Sequence, residues 1–176
     1  MDSSVSPDKP VLHTALRFGV GAGVLSGLWV VALYLTHSDP FGPKKVMAMV
    51  LLPLAVLVGQ WSQRKYFQPD GPGLKRSIGV GMLITLLTAM VSAASVYGLA
   101  RAAGPAQLER SRTEMIKIAE GTKALYLRQK GGQEQYKRTI QGLQQIDEQS
   151  LATDDFIKKL LVGLLLSVPG GIFFRK

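Results

Sequence analysis

The chain has 176 residues, no cysteine and a formal net charge of +9, which bounds it to one domain and excludes a disulfide framework, thiolate chemistry and a cysteine metal site. Its hydrophobic fraction of 47% and mean hydropathy of +0.17 are averages that a soluble protein could share, so distribution decides. The apolar residues gather in long uncharged blocks, and Lys44-Lys45, Arg64-Lys65, Lys75-Arg76, Lys158-Lys159 and Arg175-Lys176 each stand beside one. Cations placed this way read as membrane flanks rather than a DNA-binding face, and no nucleic-acid partner is expected.

A helix that crosses a bilayer needs about 20 mostly apolar residues. After an N-terminal segment, residues 1–17, the block Phe18 to Leu35 carries no charge, and Trp29 and Tyr34 lie toward its far end, where amphipathic rings favour the interface. Reading it as a cleaved signal peptide fails on the sparse positive charge after Met1-Asp2-Ser3 and on the length of the apolar run. Asp39-Pro40-Phe41-Gly42-Pro43 predicts a turn. The second block, Val46 to Trp61, includes Pro53, which neighbouring helices can accommodate in a membrane. The third, Ser77 to Ala100, is the longest and closes a three-span region, residues 18–100. In the fourth, Leu160 to Phe174 is uncharged. That span is expected to begin near Asp154, with Thr153 as N-cap, Asp154 and Asp155 in the first turn, and Lys158 and Lys159 snorkelling to the surface. It forms, with the basic C-terminus, residues 154–176.

Basic residues in the short segments set orientation. Lys9 and Arg17 precede span one; Arg64, Lys65, Lys75 and Arg76 join spans two and three; Arg175 and Lys176 end the chain. Both termini are therefore expected in the cytoplasm of a bacterial inner membrane, with residues 101–153 outside. In that segment Gly104-Pro105 marks a boundary with Pro at a first helical position. Leu108, Met115, Ile118, Thr122 and Leu125 then recur at helical spacing, Gly131-Gly132 interrupts, and Tyr136, Ile140, Leu143 and Ile146 make a second stripe. Two amphipathic helices in an antiparallel hairpin are predicted, continuing span three out of the membrane. The stripes either zip against each other or offer Met115, Ile118, Leu125, Tyr136, Ile140 and Leu143 to a partner.

Chemistry is sparse. His13 and His37 flank span one at opposite ends, too far apart to share a metal, so no metal or cofactor is expected. Gly19-x-Gly21-x-Gly23 lies inside an apolar span, and Gly71-Pro72-Gly73-Leu74-Lys75 lacks the Gly-Lys-Ser/Thr end of a phosphate loop. The glycines suit packing instead. Gly19, Gly23 and Gly27 recur every fourth residue, Gly163, Ser167 and Gly171 repeat that spacing in span four, and Gly81, Thr85, Thr88, Ser92 and Ser95 form a mildly polar stripe in span three. These faces are expected to hold the bundle together; a homo-oligomer seam, a larger complex or a polar path are the alternatives. No ionisable residue falls inside the four uncharged blocks, which argues against proton-coupled transport and intramembrane acid–base chemistry.

The layout resembles the bacterial family catalogued as domain of unknown function 4199, found mainly in Bacteroidota. The resemblance rests on Phe18-Gly19-Val20-Gly21-Ala22-Gly23 with Gly27, on Lys75-Arg76-Ser77-Ile78-Gly79-Val80-Gly81, and on Phe156 to Lys176. It covers most of the chain and implies a small inner-membrane protein, with no catalytic residues to carry over. Together the readings predict an all-α integral membrane bundle of four transmembrane helices with an extramembrane helical hairpin between the third and fourth. The expected role is a non-enzymatic structural or accessory component that meets membrane lipids and other membrane proteins or a second copy of itself; a small passive channel is the alternative.

Overall fold

The computed structural model describes residues 9–176; the first half of the expected N-terminal segment lies outside them. The described chain is helical throughout, in the order α1 (Lys9–Leu35), a 3₁₀ segment (Pro43–Val50), α2 (Leu51–Tyr66), α3 (Gly73–Gly121), α4 (Lys123–Leu127), α5 (Gly132–Gln144) and α6 (Glu148–Phe173). Four stretches are long and apolar enough to cross a membrane: α1, the 3₁₀ segment with α2, α3, and α6. This is a multi-pass helical membrane bundle. Its outward faces carry Leu28, Leu54, Met90, Leu161 and Leu165 half or more exposed, which costs nothing where lipid tails are the solvent.

α3 is the hub, packing against α1, α2 and α6. At one end of the bundle Ala15, Leu52, Val56, Val80 and Ile84 form the core; at the other, Val30, Phe41, Val96, Ala100, Leu108 and Leu151 do. Pro53 has no N–H to offer the Met49 carbonyl, and over this stretch the second span passes from 3₁₀ to α winding. The C-terminus folds back onto the α2–α3 loop: the Gly73 N–H donates to the Arg175 carbonyl at 3.1 Å, and Gly71, at φ 79°, lies against the Lys176 backbone. The basic loop and the basic tail therefore share one face of the bundle.

α3 runs well past the apolar block, as the sequence predicts, and turns at Gly104, where φ 79° and ψ 174° interrupt the helix ahead of Pro105. That conformation is essentially restricted to glycine. Beyond it the expected hairpin appears in outline only. The first limb is the outer half of α3 with short α4, the second is α5, and α5 packs on both. Tyr126 and Tyr136 meet edge-on with ring centroids 5.9 Å apart. Gly131 (φ 78°) makes the reversal.

One boundary differs from expectation. α6 begins at Glu148, not near Asp154, and its N-cap is Asp147, not Thr153. The Asp147 carboxylate accepts the Ser150 N–H at 2.7 Å while the Ser150 hydroxyl accepts the Asp147 N–H at 2.8 Å. This reciprocal pair satisfies two otherwise unpaired donors, and so starts the helix outside the apolar block. Asp154 and Asp155 consequently lie in its second turn.

Candidate functional site

The small-residue faces predicted from spacing lie where α1 and α6 cross α3. A methyl group placed on Gly19 would stand 3.2 Å from the Ile84 Cα, one on Gly23 would stand 2.6 Å from the Val91 Cβ, and one on Gly27 would stand 2.5 Å from the Ser95 hydroxyl. These glycines let α1 approach α3 at backbone range. Across the other side of α3, Gly163 faces Thr85, Gly171 faces Ile78, and Gly81 faces Ser167 and Gln60. The hydroxyls serve the backbone: Thr85 donates to the Gly81 carbonyl, Ser95 to Val91, Ser167 to Gly163, and Thr88 reaches across to the Gly19 carbonyl at 3.0 Å. Each cross-helix bond of this kind contributes about 0.6 kcal/mol.

Ser92 breaks this pattern. It donates to Asp155 Oδ2 at 2.7 Å and accepts from Lys159 Nζ at 2.7 Å. Lys159 is 2% exposed and Asp155 3%. The ammonium also donates to both carboxylate oxygens at 2.8 Å. Ser92 lies roughly 12 Å along α3 from Ala100, at about 1.5 Å per residue, so the pair sits at membrane depth. One expectation is thereby corrected: Lys159 does not snorkel to the surface. The uncharged block Leu160 to Phe174 begins one residue beyond it, so the charged pair enters the bundle from just outside that block. Lys158, by contrast, is exposed and pairs with Asp154 at the open side of the helix.

The reason is geometric. Asp154/Lys158 and Asp155/Lys159 are both i,i+4 pairs, but successive residues are about 100° apart around a helix, so one pair faces out and the other in. The sequence carried a signal for this. Asp155, Lys159, Gly163, Ser167 and Gly171 continue a single four-residue spacing, and the stripe read only from Gly163 onward begins two turns earlier with the charged pair.

A third charge completes the cluster. Lys45, from the 3₁₀ segment, is 13% exposed and places Nζ 3.1 Å from Asp155 Oδ1. One carboxylate thus serves two ammonium groups. The site opens into a cleft of about 490 Å³ between the 3₁₀ segment, the outer half of α3, α5 and the start of α6. Among the hairpin residues singled out from sequence, Met115, Ile118 and Leu143 line this cleft. Tyr136 is half-buried against Tyr126 and Ile140 is half-buried, whereas Leu125 is exposed. Two ties hold the hairpin over the cleft: the Ser111 hydroxyl donates to buried Asp39, and Arg112 donates to the Ile146 carbonyl at 2.9 Å.

A second polar site, missed from sequence, lies toward the opposite end. Gln60 is fully buried and its Nε2 donates to the Ser77 and Ser167 carbonyls at 3.1 and 3.0 Å, joining α2, α3 and α6. Gln63 is also fully buried, and neither of its amide atoms has a protein partner. Gln60 falls inside the second apolar block and Gln63 two residues past it, and neither belongs to a small-residue stripe.

His13 and His37 are exposed at opposite ends of α1's membrane block, and among the described residues no three His, Cys, Asp or Glu side chains gather closely enough to hold a metal ion.

Four apolar crossings around a glycine-lined hub define the class: a multi-pass helical membrane protein. The model of the family described as "Protein of unknown function (DUF4199)" matches residues 17–176, and the chain belongs to that family. No curated protein and no solved structure matches it.

Proposed function

We propose that this chain is a non-catalytic accessory protein of a bacterial inner membrane that works by contact, with its extramembrane hairpin as the surface it presents to other membrane proteins. One observation carries the reading: the hairpin does not close on all of its apolar side chains. Leu125 and Leu127 are 58% and 51% exposed, outside the apolar blocks where lipid would cover them, and exposed apolar groups in water mark interaction surfaces. The charged cluster supports a non-catalytic role. Its carboxylate is fully engaged by two ammonium groups and a hydroxyl, leaving no free base placed against a nucleophile. The passive-channel alternative draws no support from the stripe on α3, where the Thr85, Thr88 and Ser95 hydroxyls are turned to carbonyls and Ser92 is held by Asp155 and Lys159.

The orientation proposed puts both termini and the α2–α3 loop in the cytoplasm. The basic residues of that loop and of the tail share one face, the placement that the positive-inside rule assigns to the cytoplasm. Reporter fusions after Gln68 and after Gly132 test it: cytoplasmic and periplasmic signals respectively are expected, and the reverse pattern overturns it. The contact role is tested by crosslinking in native membranes from positions 125 and 127. A discrete adduct, identified by mass and lost in a Leu125→Ser/Leu127→Ser variant that still inserts and folds, is expected. Recovery of an uncrosslinked monomer alone contradicts the proposal.

A further inference from the structure

The cleft beneath the hairpin has a composition that a protein surface does not explain. Its charged lining is Lys45, Lys158 and Lys159 against Asp154 and Asp155. Lys158 and Asp154 neutralise each other, so Asp155 is left to balance two buried or nearly buried cations. Asp39, the other buried carboxylate among the described residues, holds Ser111 and the Phe41 N–H through Oδ1, makes no ion pair with the lysines, and leaves Oδ2 without a protein partner. The cluster is one negative charge short, at a depth where an unbalanced charge is costly.

The rest of the lining is apolar. Met49 comes from the second span, Met115 and Ile118 from the outer half of α3, Leu143 from α5 and Leu151 from α6. A free inorganic anion would satisfy the lysines but leave this wall uncovered. A neutral lipid would do the reverse. The cleft runs from Met49 of the second span and Lys159 of α6 to residues of the hairpin, so its lining joins a membrane-spanning stretch to the segment beyond it. A cleft of about 490 Å³ is within the range of small-molecule sites, about 300–1,000 Å³.

We propose that this cleft binds a single-chain anionic amphiphile drawn from the surrounding bilayer, such as a fatty acid, with its acid group against Lys45 and its chain along Met49, Met115 and Leu143. Lys45 is the contacting cation because it is the more exposed of the two that share Asp155 and holds it by one contact, whereas Lys159 is locked by Ser92 and both oxygens of Asp155. The ligand carboxylate supplies the missing negative charge. The site is independent of whether a protein docks on Leu125 and Leu127.

The test is native mass spectrometry of the full chain, delipidated in a neutral detergent and titrated with palmitate, with monopalmitin as its uncharged counterpart, and with inorganic phosphate as a competitor. One equivalent of palmitate is expected to bind about tenfold or more tighter than monopalmitin, the worth of one hydrogen bond to a charged group, and phosphate is expected not to displace it. Lys45→Gln should abolish the preference for the acid while Lys45→Arg keeps it, and both variants should fold, since the Asp155–Lys159 pair is left intact. A diazirine-bearing palmitate should mark Met49, Met115 or Leu143. Equal affinity for palmitate and monopalmitin, displacement by phosphate, absence of binding, or labelling confined to lipid-facing Leu161 and Leu165 would each overturn the proposal.

Discussion

Asp155 and Lys159 stand one turn apart on α6, with 2.8 Å between their charged atoms and both closed off inside the bundle. A buried pair of this kind is weak in net terms but severe to break, because removing one partner strands the other charge in a medium of low dielectric. Lys159→Met and Asp155→Asn are each expected to destabilise the folded bundle by about 3–5 kcal/mol, while Asp155→Leu with Lys159→Met, which leaves only the more exposed Lys45 without its partner, falls closer to the parent than either. Reversible unfolding in mixed micelles measures all three. A double variant as damaged as the singles would show that the cluster is held by something other than mutual charge.

The glycine ridge gives a contrast within one helix. Gly23→Ala brings a methyl group against Val91 and the Thr88 carbonyl, whereas the same change at Gly21 meets nothing within 4 Å. Overpacking costs about 1–3 kcal/mol, so Gly23→Ala should lower stability by that much and Gly21→Ala should leave it unchanged, or raise it slightly through helix propensity. Equal effects at both positions in the same unfolding assay would contradict the packing of α1 on α3.

The two buried glutamines should respond oppositely. Gln60→Leu deletes two cross-helix hydrogen bonds, a loss of about 1 kcal/mol at membrane values of about 0.6 each. Gln63→Leu removes an amide with no protein partner and should be neutral or stabilising. Thermal unfolding of the two variants side by side decides it.

Hydrogen exchange across acid pH tests the start of α6. The Ser150 N–H and hydroxyl hold Asp147 below the usual carboxylate range. Because the folded value is the lower one, the cap's contribution is complete above the unfolded value of about 3.9 and is lost as pH falls through the folded value. Protection of the Ser150 and Leu151 amides should therefore drop in that window. Asp147→Asn, which can still cap, should remove the pH dependence.

The turn at Gly104 sets the direction of the hairpin. Gly104→Ala forces a side chain into a conformation that costs about 1–3 kcal/mol, so the first limb should straighten onto the axis of α3. The chain has no cysteine, so spin labels introduced at Ser38 and Gln129 report the change directly as a longer, broader distance distribution. An unaltered distance would mean that the ties from Ser111 and Arg112 alone fix the hairpin.

What the chain disclosed before folding follows from the length scale of each signal. Apolar runs of membrane length and glycines at every fourth residue are local periodic features, and they located the spans and the faces where α1 and α6 meet α3. The Gly104-Pro105 break was legible for the same reason, since two adjacent residues restrict the backbone. Asp155 and Lys159 are masked by the same residue types beside them at 154 and 158, and what singles them out is that they continue the four-residue spacing of Gly163, Ser167 and Gly171. The N-cap was misplaced because Thr153 offers a similar capping side chain six residues after Asp147, and no local feature shows which of them starts the helix. Lys45 joining Asp155 across more than a hundred residues left no mark in either segment.

The most direct measurement is amine labelling of intact membranes with a water-soluble reagent, read residue by residue. Lys158 and Lys159 are adjacent in sequence, 60% and 2% exposed at their side chains, and so serve as each other's control. Extensive modification of Lys158 with Lys159 protected until the bundle is unfolded is the expected result. Equal modification of both in folded membranes would place Lys159 at the surface and dissolve the charged cluster on which the site depends.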